Sequence, residues 1–174
     1  MKRFVAISGS LRTASANTAL LRAAVALAPA GIAIALFEGV GELPHFNPDI
    51  EHVPPPSVVA WRDLLIACDG VLIASPEYAH GVAGAFKNAL DWVVGSAEVG
   101  NKPVALINTS ARAVHAQASL HEIVTTMGWT VVEAASIVIP VANKAFDPVA
   151  IAAHPVFAQA LLESIGALER AVGP

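Results

Sequence analysis

Short apolar runs alternate with helical segments five times along this chain. The runs carry the continuous apolar pattern of strands buried on both faces, and they occupy residues 3–8, 32–37, 71–74, 104–108 and 131–139. Apolar residues at helical spacing mark residues 17–28, 58–68, 85–94, 116–127 and 149–171. This alternation predicts an α/β fold with a parallel sheet and helices on both of its faces.

Composition limits what such a fold can do. The 174 residues are 55% hydrophobic and fit one compact domain, predicted as residues 1–174, and the net charge of −4 offers no basic field for nucleic acid or a membrane surface. The longest uncharged apolar run, residues 23–37, is too short to cross a bilayer, and residues 4–7 are too short for a signal peptide. The lone Cys68 excludes an internal disulfide, so we expect a cytoplasmic protein with Cys68 as inert packing.

The loop after the first strand gathers hydroxyl, amide and guanidinium groups in the sequence SGSLRTASAN, residues 8–17. A loop that opens a helix presents free N–H groups and the positive end of the helix dipole. Ser10, Ser15 and Asn17 add donors and Arg12 adds a charged fork, a set that suits a phosphate monoester, although Ser15 or Asn17 also fits a helix cap. No triphosphate, dinucleotide or hydrolase motif matches, which favours a mononucleotide cofactor.

Two further polar loops follow the third and fourth strands. Residues 75–84, SPEYAHGVAG, combine Pro76, Tyr78 and two glycines in a bend whose backbone could lie against a flat ring. The other loop reads NTSARAVH, residues 108–115. Because parallel strands end at the same edge of a sheet, we expect the three loops to border one ligand crevice there.

The motif GSLRTASAN, followed about sixty residues later by SPEYAHGVAGAFKNALDW, resembles the NADPH-dependent FMN reductase family. This family of flavodoxin-like flavoproteins includes quinone, azo-dye and chromate reductases, and the resemblance extends from residue 3 to about residue 127. It implies a flavodoxin-like three-layer fold, with a doubly wound five-stranded parallel sheet in the order 2-1-3-4-5. It also implies bound FMN, with NADPH or NADH as the electron donor.

The resemblance places the first motif on the FMN phosphate and the second beside the isoalloxazine ring. The residues assigned to FMN are Ser10, Leu11 through its backbone, Arg12, Ser15, Asn17, Pro76, Glu77, Tyr78, Ala79, His80, Gly81, Ser110 and Arg112. No side chain is assigned a catalytic role, because hydride passes between the nicotinamide and the flavin. No metal site is expected, because the histidines do not cluster with carboxylates at metal-ligand spacing.

The chain departs from the family pattern at several positions. Ala79 replaces the usual Asn, Ala83 the usual Pro and Phe86 the usual Leu, and the loop NTSARAVHA replaces a Gly-rich form. In that loop, Arg112 is either a contact for the 2′-phosphate of NADPH or a solvated surface residue. These changes bear on substrate class and donor preference more than on FMN binding.

The resemblance implies a two-electron, ping-pong reduction of quinones, azo or nitro compounds, free flavin or metal oxyanions. A flavodoxin-type electron carrier without its own NAD(P)H activity would have the same fold, and a scaffold subunit without a cofactor is a third alternative. The phosphate loop of the carriers is usually rich in Thr and Gly and lacks the paired Arg12 and Asn17 found here.

Other residues bear on proton transfer and assembly. For His80 we favour one structural hydrogen bond over a proton relay, and Lys87 is predicted to pair with Asp91. Trp92, on an otherwise polar helix face, is predicted to anchor a subunit contact, with residues 43–51 either an ordinary loop or part of a partner's wall. Since a flavin at a sheet edge is walled on one side only, we expect a homodimer or homotetramer.

Overall fold

The computed structural model describes residues 1–96, 99–142 and 146–173. In these residues the strands are β1 (Lys2–Ser8), β2 (Ile32–Phe37), β3 (Gly70–Ala74), β4 (Glu77–Tyr78), β5 (Gly81–Val82), β6 (Pro103–Leu106) and β7 (Thr130–Val131). The α-helices described are α1 (Ala16–Ala26), α2 (Pro56–Ala67), α3 (Gly84–Val94), α4 (Val114–Thr126), α5 (Pro148–Ala153) and α6 (Pro155–Val172). The alternation expected from the apolar pattern is therefore present.

One parallel sheet joins strands in the order β2-β1-β3-β6-β7. In its centre, Val5 of β1 pairs with Ala35 of β2 on one side and with Val71 of β3 on the other. With the small hairpin β4–β5 set aside, this is the predicted order 2-1-3-4-5, and the flavodoxin-like fold is confirmed. The winding reverses between β1 and β3, so the crevice of a doubly wound sheet lies at the carboxyl ends of these two strands.

Helices cover both faces of the sheet. Because successive side chains of a strand point to opposite faces, Val5 and Ile7 of β1 enter one core, whereas Phe4 and Ala6 enter the other. The first core draws its buried helical residues from α2, α3 and α4, and the second from α1, α5 and α6. The result is the predicted three-layer arrangement.

The fifth strand of the sheet is shorter than predicted. Regular pairing is limited to β7, and residues 133–135 form a 3₁₀ turn before a single bridge joins Val138 to Asn108. Ser136 explains the interruption. Its hydroxyl accepts a hydrogen bond from the Leu106 N–H and donates one to the Val132 carbonyl, both at 3.0 Å, so a side chain takes the place of a ladder partner. The prediction of one continuous strand over residues 131–139 was wrong.

The C-terminal segment forms two helices instead of the single predicted helix over residues 149–171. Pro155 has no N–H to continue α5, and it forces the preceding His154 into an extended conformation with ψ 115°. α6 then begins at Pro155, because proline is well suited to the first turn of a helix. Both helices still pack on the same core, through Ile151 of α5 and Ile165 of α6.

Residues 75–84 contain a two-stranded hairpin, whereas the sequence predicted an irregular loop here. Glu77 pairs with Val82, and Tyr78 pairs with Gly81. The two residues between the strands, Ala79 and His80, have φ of 48° and 59°. Positive φ at both central positions is the mark of a type I′ turn, which favours Asn-Gly and disfavours residues with an ordinary Cβ.

Because alanine is poorly suited to its positive φ, Ala79→Asn is expected to stabilise the fold. The gain should be about 0.5–1 kcal/mol, or about 1–4 °C in Tm for a chain of this size. Differential scanning calorimetry would measure it. Ala118→Asn, an exposed position in α4, is the matched control and should lower Tm, because asparagine is a weaker helix former than alanine. A Tm that falls in both variants would contradict the turn assignment.

Trp92 is a core residue, contrary to the prediction that it anchors a subunit contact. Its side chain is fully buried, and its indole N–H donates to the Pro44 carbonyl at 2.7 Å. Phe46 packs edge-on against the ring at 5.1 Å, and Asn88 bonds the backbone of both Pro44 and Phe46. The connection that contains residues 43–51 therefore closes over α3 of its own chain, which could not be read from the polar neighbours of Trp92 in sequence.

Other expectations from the sequence can be compared with the described residues. Lys87 and Asp91 form the predicted ion pair on α3. Cys68 is buried and burial raises the pKa of its thiol, in keeping with inert packing. Among the residues described, no helix has the length and apolarity needed to span a bilayer, and His, Cys, Asp and Glu form no cluster of three suited to a metal ion.

Candidate functional site

The three polar loops meet at the carboxyl edge of the sheet, after β1, β3 and β6. Between them lies a cavity of 290 Å³. Its lining residues are Ser10, Arg12, Ser15, Ala16, Asn17, Ser75, Pro76, Glu77, Tyr78, Asn108, Thr109, Ser110, Arg112, Ala113 and Ala142. Strands adjacent in the sheet thus bring together residues about 100 positions apart in the chain, as the switch-point rule for doubly wound sheets requires.

Hydroxyl groups hold the first loop in shape. The Ser8 side chain accepts a hydrogen bond from the Ser10 N–H at 3.3 Å and contacts the Thr18 hydroxyl at 2.8 Å. The Ser10 hydroxyl in turn accepts from the Arg12 N–H at 3.4 Å. These short-range bonds order the backbone of the loop without any help from the Arg12 guanidinium.

Gly9 allows the first and second loops to approach each other. A Cβ built at this position would lie 2.5 Å from the Ser75 hydroxyl oxygen and 2.9 Å from the Ser75 Cβ. No side chain fits there without moving one of the loops. The close approach brings Ser10 and Pro76 to the same cavity.

Polar groups surround the N-terminus of α1. Ser15 caps the helix by accepting from the Thr18 N–H at 3.3 Å, and its own hydroxyl donates to no acceptor among the residues that the structure describes. Asn17 is buried, and its Oδ1 accepts from the Thr109 hydroxyl at 3.1 Å. Within the described residues, the Asn17 Nδ2 and the Arg12 guanidinium make no hydrogen bond or ion pair. The backbone amides that open the helix have no intrahelical partner.

This donor set fits a phosphate dianion. It combines the positive end of a helix, a guanidinium, an amide and two hydroxyls on one side of the cavity. The phosphate of FMN carries about −1.5 to −2 charges at neutral pH, and all of these groups can donate to it. The residues present therefore fit FMN at its phosphate end.

The second loop forms the opposite wall through Pro76, Glu77 and Tyr78. The Tyr78 side chain is 51% exposed, which leaves an aromatic surface at the mouth of the cavity. The ring of His80, at the hairpin turn, stacks on that of His115 with centroids 4.2 Å apart. His80 makes no hydrogen bond within the described residues, so the single structural bond favoured for it from the sequence is replaced by ring stacking.

The third loop is closed by its own side chains. Asn108 is buried, its Oδ1 accepts from the Ser110 N–H at 2.9 Å, and its Nδ2 donates to the Ala113 carbonyl at 3.3 Å. The Ser110 hydroxyl accepts from the Arg112 N–H at 3.3 Å. The backbone is thus fixed independently of the Arg112 guanidinium, which is exposed and lies on the cavity wall.

The structure brings most of the predicted FMN residues together around this cavity. Those that line it are Ser10, Arg12, Ser15, Asn17, Pro76, Glu77, Tyr78, Ser110 and Arg112. Leu11 lines an adjoining depression, and Ala79, His80 and Gly81 belong to the hairpin turn and are not among the lining residues. Their contacts with FMN stay predictions.

Sequence reasoning missed part of the wall. Ser75, Asn108 and Thr109 lie in loops that were predicted to border the crevice, but they were not assigned to FMN. Each is polar and lies just after the end of β3 or β6, which is the signal that could have identified them. Asn108 and Thr109 are buried as well, because they link the third loop to itself and to Asn17. Ala142 carries no comparable signal, since only the folded chain brings it to the cavity.

Comparison with known proteins agrees with this geometry. The sequence profile of the family described as NADPH-dependent FMN reductase matches residues 2–144. An NAD(P)H-dependent FMN reductase of Pseudomonas aeruginosa is 38% identical over 112 residues, which are 63% of this chain and 60% of that protein. An NADPH:quinone oxidoreductase of Arabidopsis thaliana is 41% identical over 112 residues, 62% of this chain and 57% of that protein. The chain thus aligns with about three fifths of the length of these curated relatives.

Solved structures extend the likeness to almost the whole fold. The flavoenzyme FerB of Paracoccus denitrificans, an NAD(P)H:(acceptor) oxidoreductase, superposes with a TM-score of 0.77 and 28% identity over 98% of each chain. The fold and the polar edge of the sheet define a flavodoxin-like α/β protein whose first loop fits a phosphate group. Within that class, the chain belongs to the NADPH-dependent FMN reductase family.

Proposed function

We propose that the protein is a cytoplasmic NAD(P)H-dependent oxidoreductase, formed by one FMN-binding domain over residues 1–174, that reduces small acceptors such as quinones. The observation that carries this proposal is the convergence of Ser10, Arg12, Ser15 and Asn17 with the hairpin wall on one cavity. The family and the named activities of the relatives support it.

The residues of this chain would perform three tasks in that reaction. Arg12 and the N-terminus of α1 bind the phosphate and so anchor the cofactor at one end. Pro76 to Tyr78 border the ring at the other end, and the exposed cavity mouth admits the nicotinamide and the acceptor. The chemistry that bound FMN supplies is acceptance of hydride and delivery of two electrons. Since both substrates use one mouth, we expect a ping-pong sequence and no catalytic side chain.

The absorbance spectrum of the purified protein, followed anaerobically, tests this proposal. Bound FMN should give a visible flavin spectrum that NADPH or NADH bleaches under argon and that benzoquinone restores. Initial rates measured against NADPH concentration, at several fixed benzoquinone concentrations, should give parallel lines in a double-reciprocal plot. Bleaching by dithionite but by neither nicotinamide would indicate an electron carrier instead. A protein that stays colourless after incubation with FMN would refute cofactor binding.

We also propose that the protein assembles as a homodimer or homotetramer. With Trp92 in the core, the support comes from two other surfaces. Leu11 and Tyr78 are more than half exposed beside the cavity, and an apolar groove between α3 and α4 is lined by Leu90, Val94 and Met127, among others. Covering such surfaces favours self-association. Light scattering at micromolar concentration should give at least twice the 17.9 kDa mass of one chain. A mass of one chain would contradict the proposal.

A further inference from the structure

Helix α4 begins without a capping side chain of its own. Its N-cap residue is Ala113, and its first turn contains no acidic residue. The first amides of any helix lack intrahelical partners, and a Ser, Thr, Asp or Asn at the N-cap usually binds one of them. The free amides of α4 are therefore left to solvent or to a side chain from elsewhere in the chain.

Glu77, on β4 of the hairpin, supplies the missing cap. Its Oε2 accepts a hydrogen bond from the Ala116 N–H, in the first turn of α4, at 2.9 Å. A carboxylate at this place also interacts favourably with the positive end of the helix dipole. The bond spans 39 residues of sequence, so it joins two separate elements where an ordinary cap would act within one.

A second contact joins the same two elements. His80, at the tip of the hairpin, stacks on His115 in the first turn of α4. The hairpin carries the wall formed by Glu77 and Tyr78, and α4 follows directly on the wall formed by Ser110 to Ala113. The hydrogen bond and the ring stack therefore join two walls of the cavity directly to each other.

We propose that Glu77 is a positioning residue that fixes the separation of these two walls through the Ala116 amide. This inference rests on the proposed function, because the space between the walls is where the flavin ring would lie. It differs from the assignment of Glu77 as a direct ligand, since the carboxylate acts through α4. The length of its side chain, and not its charge alone, then determines the shape of the cavity.

A double-mutant cycle separates positioning from plain helix capping. Its members are the unchanged protein, Glu77→Ala, Ala113→Ser and the double variant, in which a serine at the N-cap restores a local cap without the link to the hairpin. Each is measured for Tm, for FMN dissociation constant by fluorescence titration, and, without FMN, for amide hydrogen exchange of residues 77–82 and 114–117. Glu122→Ala, which removes an exposed carboxylate further along α4, is the matched control.

We expect Glu77→Ala to lower Tm by about 2–4 °C and to weaken FMN binding about tenfold. The double variant should regain Tm and the exchange protection of residues 114–117, while FMN affinity and the protection of the hairpin stay low. Glu77→Asp keeps the charge but has a shorter side chain, so it should also weaken FMN binding by several-fold. If Glu77→Ala does not fold, Glu77→Asp replaces it in the comparison. Glu122→Ala should change neither affinity nor hairpin exchange.

Three results would overturn the proposal. Full recovery of FMN affinity in the double variant would reduce Glu77 to a helix cap. Weaker FMN binding in Glu77→Ala with unchanged hairpin exchange would make it a direct ligand, and no change in either measurement would remove it from the site. If the unchanged protein binds no FMN, the proposed function fails, yet the exchange data still decide whether Glu77 holds the hairpin to α4.

Discussion

Replacing Arg12 with alanine is expected to weaken FMN binding about tenfold to a hundredfold. The side chain lies on the cavity beside the N-terminus of α1, and within the described residues it forms no ion pair that would compete for it. A charge-assisted hydrogen bond to a phosphate contributes roughly 1.5–3 kcal/mol, and the lost factor in affinity follows from that range. Fluorescence titration of the apoprotein with FMN measures the change.

The loop backbone should survive this substitution, which makes the comparison clean. Only the Arg12 N–H takes part in the bond to the Ser10 hydroxyl, so alanine retains it. Arg12→Lys keeps the charge without the forked guanidinium, so its FMN affinity should lie between that of the unchanged protein and that of Arg12→Ala. Arg170→Ala, an exposed position at the end of α6, changes the net charge equally and should leave affinity unaltered. Equal affinity for Arg12→Ala and the unchanged protein would remove the phosphate assignment.

The first four strands of the sheet could be predicted from the sequence because strand burial and helical periodicity are local signals. Each continuous apolar run reports a strand covered on both faces, and the polar residues just after β1, β3 and β6 then share an edge by topology alone. That Ser10, Arg12, Ser15 and Asn17 would lie together was predictable for the same reason, since they occupy one short stretch of sequence, whereas their contact with a phosphate stays a prediction.

The features that could not be predicted depend on partners distant in sequence. Trp92 is buried because the Pro44 carbonyl and the Phe46 ring close over it, and neither contact leaves a trace in the helix pattern. The link from Glu77 to Ala116 is of the same kind. By contrast, the helix break before Pro155 was visible in the sequence, because proline restricts the residue before it.

Arg112→Ala is expected to lower kcat/KM for NADPH about tenfold and to leave the value for NADH nearly unchanged. Both Arg12 and Arg112 lie on the cavity. In the proposed site Arg12, at the N-terminus of α1, binds the FMN phosphate, which leaves Arg112 available on the wall formed by the third loop. NADPH differs from NADH by a 2′-phosphate, and an arginine commonly binds that group. Because Arg112 is exposed, the expected loss lies at the lower end of the range for a charge-assisted hydrogen bond.

Steady-state kinetics with each donor, at a fixed saturating concentration of benzoquinone, measure the effect of Arg112→Ala. The substitution should not disturb the loop, because Asn108 and Ser110 close it through backbone groups that alanine retains. The ratio of the two kcat/KM values is therefore the quantity that isolates the 2′-phosphate contact. Equal losses with both donors would place Arg112 on the flavin or in the fold. No loss with either donor would identify Arg112 as a solvated surface residue. Only a contact with the 2′-phosphate can lower kcat/KM for NADPH and leave the value for NADH unchanged.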